Sequence, residues 1–209
     1  MQRYKDGFFF SREFIGEQSW NGSERKCLFA NVGGGQFLDV ARPLGADADT
    51  DGRGVAIADL DGDGRLDVVL ANNNAPPTIY LNRLAGTGNW ARLTLAGREC
   101  NRDAVGARVR LTVTVNGVPK TMLRQVEAGS GYASQSDFAV HFGLGPATVI
   151  DAVEVVWPDG RRQVLDAAQR AALVNRAVRL MEGEGPVPIG HESRAGQPNG
   201  EPDSGAHQR

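Results

Sequence analysis

The residues predict an all-β fold, with a segment built of β-hairpins followed by a β-sandwich domain. Three observations carry this expectation. Apolar residues come in short runs broken by Gly, Asn, Asp and Pro rather than in helical stripes. Glycine is plentiful, at 27 of 209 residues, as turn-rich chains require. In the second half, strand-like runs recur about every ten residues, the rhythm of two packed sheets. The length suits one large or two small domains. The pattern divides the chain into a repeat segment over 1–86, a sandwich over 87–182 and a disordered tail over 183–209.

Taken in order, CLFANVGGGQFLDV (Cys27 to Val40) places two apolar runs around a glycine triplet, a hairpin signal. GVAIADL, from Gly54, enters an acidic loop and DVVLAN leaves it. TIYLN follows after a turn around Asn72, Asn73, Asn74, Pro76 and Pro77, so strands flank the loop on both sides. From Gly86 onward come GTGNWARLTL, GARVRLTVTV, KTMLRQVEA, FAVHFGLG, DAVEVVWPDG and RRQVLD. WPDG is a turn in which Pro158 presets φ and Gly160 tolerates the left-handed conformation, which joins VEVVW to RRQVLD as a hairpin. Asp166 with Gln169 three residues later forms a capping box that opens a peripheral helix of about two turns. Beyond Gly183, prolines, glycines and scattered charge leave too little apolar surface to offset the entropy of ordering.

Charge and hydropathy exclude several classes. The formal net charge is −2, with 23 Lys and Arg against 25 Asp and Glu, and the basic residues are scattered, so neither nucleic acid nor an anionic membrane surface is an expected partner. No apolar stretch reaches the roughly 20 residues of a membrane-spanning helix. The opening MQRYKDGFFFSREF has too short an apolar run for a secretory signal, and the chain reads as soluble and as incomplete at its start. Cys27 and Cys100 lack CxxC spacing, which argues against metal binding through sulfur, and two unrelated thiols are preferred over a disulfide.

The loop DLDGDGRLD carries the chemistry. Asp59, Asp61, Asp63 and Asp67 stand at relative positions 1, 3, 5 and 9, with Gly62 and Gly64 allowing a tight curl. Hard cations such as Ca2+ take six to eight oxygens at about 2.3–2.6 Å, and these carboxylates plus one carbonyl, that of Arg65, supply such a shell. Without a cation, four like charges would crowd together. An EF-hand is excluded, since position 12 is Leu70 rather than Glu and the flanks are β-type. Magnesium, with fewer protein ligands and stricter geometry, and an ion-free polar turn are the weaker alternatives.

GVAIADLDGDGRLDVVLAN, with LFANVGGGQFLDV before it, resembles FG-GAP (VCBS) repeats, the blades of integrin-type β-propellers. The resemblance implies calcium ligation by Asp59, Asp61, Asp63, the Arg65 carbonyl and Asp67, and no ion at the NVGGGQF hairpin. About one and a half repeats fit before Gly86, fewer than a closed propeller needs. Further on, GNW (88–90), NRDAVGARV (101–109), GSGYASQSDFAVHFGLG (129–145) and VVWPDG (155–160) resemble the ASPIC/UnbV domain that follows such repeats in the cartilage acidic protein-like family. The domain family offers no catalytic residue set to transfer.

Other constellations read as structural. His141 stands alone in the folded region, since His191 and His207 fall in the tail. It points away from the face shared by Phe138, Val140 and Phe142 and has no nucleophile motif nearby. GSGYASQS, with Ser130, Tyr132, Ser134 and Ser136, fits neither a nucleophile elbow nor a phosphate cradle. Asn101, Arg102 and Asp103 read as loop backbone partners. Trp90 and Trp157 read as core rather than as a sugar platform.

The expected function is therefore that of a calcium-binding, non-enzymatic recognition or scaffolding protein with a protein or glycan partner. From the resemblance its setting is extracellular or periplasmic. An enzyme or accessory protein of a biosynthetic pathway, with a pocket at the junction of the two segments, is the alternative, and a carbohydrate-binding module is the minor one. Exposed strand edges in a segment lacking its neighbouring blades predict self-association.

Overall fold

The computed structural model describes residues 24–189 apart from Thr87 and Ala133. The expected beginning of the repeat segment and most of the expected tail, including His191 and His207, lie outside the described residues.

The sandwich consists of two four-stranded sheets. One has the order β11 (Arg162–Val164), β10 (Ala152–Val156), β7 (Arg108–Val115), β8 (Val118–Gln125). The other runs β13 (Pro186–Pro188), β12 (Ala177–Met181), β6 (Asn89–Ala96), β9 (Val140–Gly145). Period-two alternation builds the core between them. Ala91, Leu93 and Leu95 of β6, Val109, Leu111 and Val113 of β7, and Val140, Phe142 and Leu144 of β9 are all buried. Register keeps these rows together, pairing Val153 with Leu111 and Val155 with Val109 in one sheet, and Leu93 with Val178 and Leu95 with Leu180 in the other. Each large side chain so buried contributes about 1.5–3 kcal/mol relative to exposure.

Turn chemistry closes the hairpins. Asn116 and Gly117, both at positive φ, join β7 to β8 in the two-residue turn whose twist matches the strands. In WPDG, Gly160 N donates to Trp157 O at 2.9 Å, and the expected β10–β11 hairpin forms. Trp157 is buried core, its Nε1 donating to Gln163 Oε1 at 3.1 Å. The capping box forms as expected, with Gln169 N donating to Asp166 Oδ1 at 2.9 Å and Asp166 N to Gln169 Oε1 at 3.0 Å. The helix it opens, α1 (Ala167–Ala171), has 5 residues, shorter than two turns. It ends at Ala171 with Ala172 as its C-cap, and the turn that follows carries the fully buried Leu173 toward β12.

Two features depart from expectation. First, β12 is a strand that the sequence pattern did not mark, and it pairs with β6 in parallel, because the chain crosses from one sheet to the other through α1 and re-enters beside its own first strand. Second, part of the expected tail is ordered structure: Pro186–Pro188 pair antiparallel with β12. Composition misled here because Ile189 N donates to Ala177 O at 2.9 Å. By the two-residue period, the Pro186 and Pro188 nitrogens then face away from the sheet, the one strand position at which proline loses no ladder bond.

The repeat segment is two small sheets. β1 (Phe29–Gly33) and β2 (Gln36–Asp39) form the glycine-turned hairpin. β3 (Gly52–Ala58), β4 (Asp67–Asn72) and β5 (Thr78–Tyr80) form an antiparallel meander with the acidic loop between β3 and β4. No barrel closes. Among described residues, the buried apolar cluster lies wholly within the sandwich, whereas Phe29, Val32, Phe37, Leu38 and Ile79 of the repeat segment are more than half exposed.

Candidate metal centre

β3 delivers Asp59 to the start of the acidic loop, and β4 takes up the chain at Asp67. Both side chains are buried, 7% and 1% exposed, unlike the neighbouring loop positions Leu60 and Asp61. The loop is wound around these two carboxylates. Gly62 N and Gly64 N donate to Asp59 Oδ1 and Oδ2 at 2.8 and 3.1 Å. Leu60 N and Asn82 N donate to Asp67 Oδ2 and Oδ1 at 2.9 and 2.7 Å. Each oxygen is thus oriented by a backbone N–H and retains a lone pair for another partner. Positive φ at Gly62 and Gly64 makes the curl accessible.

Asp59, Asp61 and Asp67 converge, each offering an oxygen within 4.8 Å of the others. Asp63 is turned elsewhere. Its Oδ1 accepts from Arg65 N at 2.8 Å, and its Oδ2 pairs with the Arg65 guanidinium and with Arg83 Nη1 at 3.3 Å. Arg83 also holds Asp61 Oδ2 at 2.7 Å. Partial burial raises the Asp61 pKa, but the Arg83 bond, the Asp63 amide and the charges of Arg83 and Arg65 outweigh it and leave the carboxyl below its ordinary value. Arg83 and Asn82 escaped the sequence reading because they act across β5, outside the loop's spacing. An all-oxygen, all-carboxylate donor set, two of its members buried and pre-oriented, fits a hard divalent cation and no soft one.

The loop also touches the sandwich. His141 Nε2 lies 2.9 Å from Gly64 O, and Trp90 stacks on the His141 ring. Burial lowers the His141 pKa, while the Gly64 bond and the Asp59 charge raise it and the charges of Arg92 and Arg124 lower it further, for a net shift downward. Because a carbonyl can only accept, the Nε2 atom carries the proton in this bond. Half-buried Trp90 is neither core nor an open sugar platform. Beside this contact, Ile57 N donates to Ser136 Oγ at 3.2 Å and Asp137 N donates to Ile57 O at 3.1 Å, docking the GSGYASQS loop against β3. A cleft of about 240 Å³ lies here, between Ile57 and Leu66 on one side and Arg92, Arg124, Ser130 and His141 on the other.

Ser130 Oγ donates to Ser136 Oγ at 3.0 Å and accepts from Ser136 N, a loop brace rather than an activated nucleophile. Asn101 likewise bonds Val105 twice, through its side-chain oxygen and its amide. Cys27 and Cys100 are free thiols. Among described residues, no helix is long and apolar enough to cross a membrane.

Residues 18–70 match the family model described as FG-GAP-like repeat, and residues 97–186 the model described as ASPIC and UnbV. Cartilage acidic protein 1 of Xenopus tropicalis is 33% identical over 130 residues, 60% of this chain and 19% of that protein. The Mus musculus and Homo sapiens proteins of the same name are each 34% identical over 113 residues, 53% of this chain and 17% and 16% of theirs. The chain thus spans less than a fifth of the length of the curated relatives it matches.

Proposed function

Since the chain carries an FG-GAP-like repeat followed by an ASPIC and UnbV domain, we propose that it is a calcium-binding, non-enzymatic recognition or scaffolding module of extracellular type. The observation that carries this is the convergence of Asp59, Asp61 and Asp67 within 4.8 Å in a loop whose backbone N–H groups already aim the carboxylates. In this reading Asp63 leaves its arginine partners and, with the Arg65 carbonyl, completes the shell. The non-enzyme name of the relatives supports the same class. Protein or glycan partners meet the loops of the sandwich, and the open edges and exposed apolar residues of the repeat segment favour self-association.

The cleft between β3 and the sandwich favours a second reading, an accessory protein or enzyme with a small-molecule site. Its chemistry argues against catalysis, since His141 is committed to Gly64 O and Ser130 to Ser136.

Calcium titration of chelator-treated protein by calorimetry tests the first reading. Binding to the folded chain alone stabilises it by about 2.7 kcal/mol at 100 times the dissociation constant. Asp59→Ala and Asp63→Ala abolish the calcium-dependent rise in melting temperature, and Asp159→Ala in the distant WPDG turn leaves it intact. Absence of both heat and melting shift at millimolar calcium would overturn the reading.

A further inference from the structure

Gly64 is shared between the loop and the sandwich. Its N–H orients Asp59 Oδ2 at 3.1 Å, and its carbonyl accepts from His141 Nε2 at 2.9 Å. Trp90 lies over it so closely that a Cβ at this position would fall 2.0 Å from the indole Nε1, and its φ is +84°, a conformation that favours glycine. The Trp90 and His141 rings stack with centroids 6.1 Å apart and 9° between planes. Two strands of the sandwich, β6 and β9, therefore grip one residue of the acidic loop from outside, while the loop's own carboxylate grips it from inside.

We propose that Trp90 and His141 are positioning residues of the acidic loop's cation site. By clamping Gly64 they hold the loop in the curl that brings Asp59, Asp61 and Asp67 together. The inference rests on the calcium reading above. A loop with glycines at two of its turns loses much conformational freedom on closing around an ion, and a clamp already in place removes part of that cost. Groups that orient metal ligands without touching the metal are typically worth about 10–100-fold in affinity. Linkage makes the effect reciprocal: if the clamp favours the cation, the cation tightens the seating of the repeat segment on the sandwich by the same factor.

The experiment uses the full chain, chelator-treated and titrated with calcium chloride, as wild type, Asp59→Asn, His141→Leu and His141→Gln. Calorimetry gives the affinity, and NMR follows the Trp90 indole N–H resonance, assigned by its loss in Trp90→Phe. In the expected result His141→Leu weakens calcium binding at least about 10-fold. His141→Gln, whose amide can donate to Gly64 O, regains most of it, a rescue that general loosening of the fold would not give. The wild-type indole resonance moves with calcium, and that of Asp59→Asn does not. Wild-type affinity in folded His141→Leu, or an indole indifferent to saturating calcium, overturns the clamp while leaving the calcium site standing. If His141→Leu does not fold, the wild-type indole decides alone. Wild type without heat and indistinguishable from Asp59→Asn sinks the calcium site and the clamp together.

Discussion

Asp61 and Asp67 belong to one loop but differ in what they hold up. Asp67 is 1% exposed and accepts from two backbone N–H groups, one of them Asn82 beyond β5. In Asp67→Asn the amide group must face one of those donors and leave it unpaired in a buried place, costing about 1–3 kcal/mol even without an ion. Asp61→Asn removes a surface pair with Arg83 and leaves ion-free stability nearly unchanged. Urea unfolding of both variants in chelator checks the contrast. Glu182 offers a second residue-level test. Its carboxylate accepts from Arg98 N at 2.8 Å and, despite burial, from Glu99 N and Cys100 N as well, which lowers its pKa from 4.5 to about 2. A carboxyl lowered on folding stabilises the native state above its unfolded pKa. That contribution is lost as pH falls from about 4.5 to about 2. The slope of melting temperature against pH in that window is therefore shallower in Glu182→Gln than in wild type.

At the level of elements, most of the chain was legible because local rules and tertiary demand agree. Alternation marked the strands, WPDG marked a hairpin, and Asp166 with Gln169 marked a helix start. Asp166→Ala should cost about 1 kcal/mol, read as a lowered urea midpoint, since it unpins a helix that leads into buried Leu173. What was illegible depends on partners distant in sequence. Nothing around Trp90 or His141 announces Gly64 as their neighbour, because that contact exists only after β6, β9 and the acidic loop are assembled. The spacing of Asp59, Asp61 and Asp67 was readable, whereas the hold of Arg65 and Arg83 on Asp63 was not, since Arg83 arrives from beyond β5. Strand β13 was missed because proline content speaks against strands in general but not against an edge whose proline nitrogens face outward.

At the scale of the molecule, stability is unevenly distributed. The buried cluster is confined to the sandwich, while the repeat segment exposes apolar side chains on its small sheets. A chain of residues 88–189 should thus unfold cooperatively on its own by circular dichroism, and residues 24–86 alone should show no thermal transition. An isolated sandwich that melts without cooperativity would mean the two segments share one folding unit. The parallel pairing of β6 with β12 has a further consequence, in the order of events at the ribosome. β6 is made early, but Arg92 pairs with Ala177, so that flank of the strand stays bare until nearly the whole sandwich has been translated. At synthesis rates of about 5–20 residues per second the wait is on the order of ten seconds. Through that interval an apolar strand carrying Leu93 and Leu95 is open to mispairing with any nascent neighbour. The last strands of the domain are thus the ones that release its first strand from the risk of aggregation.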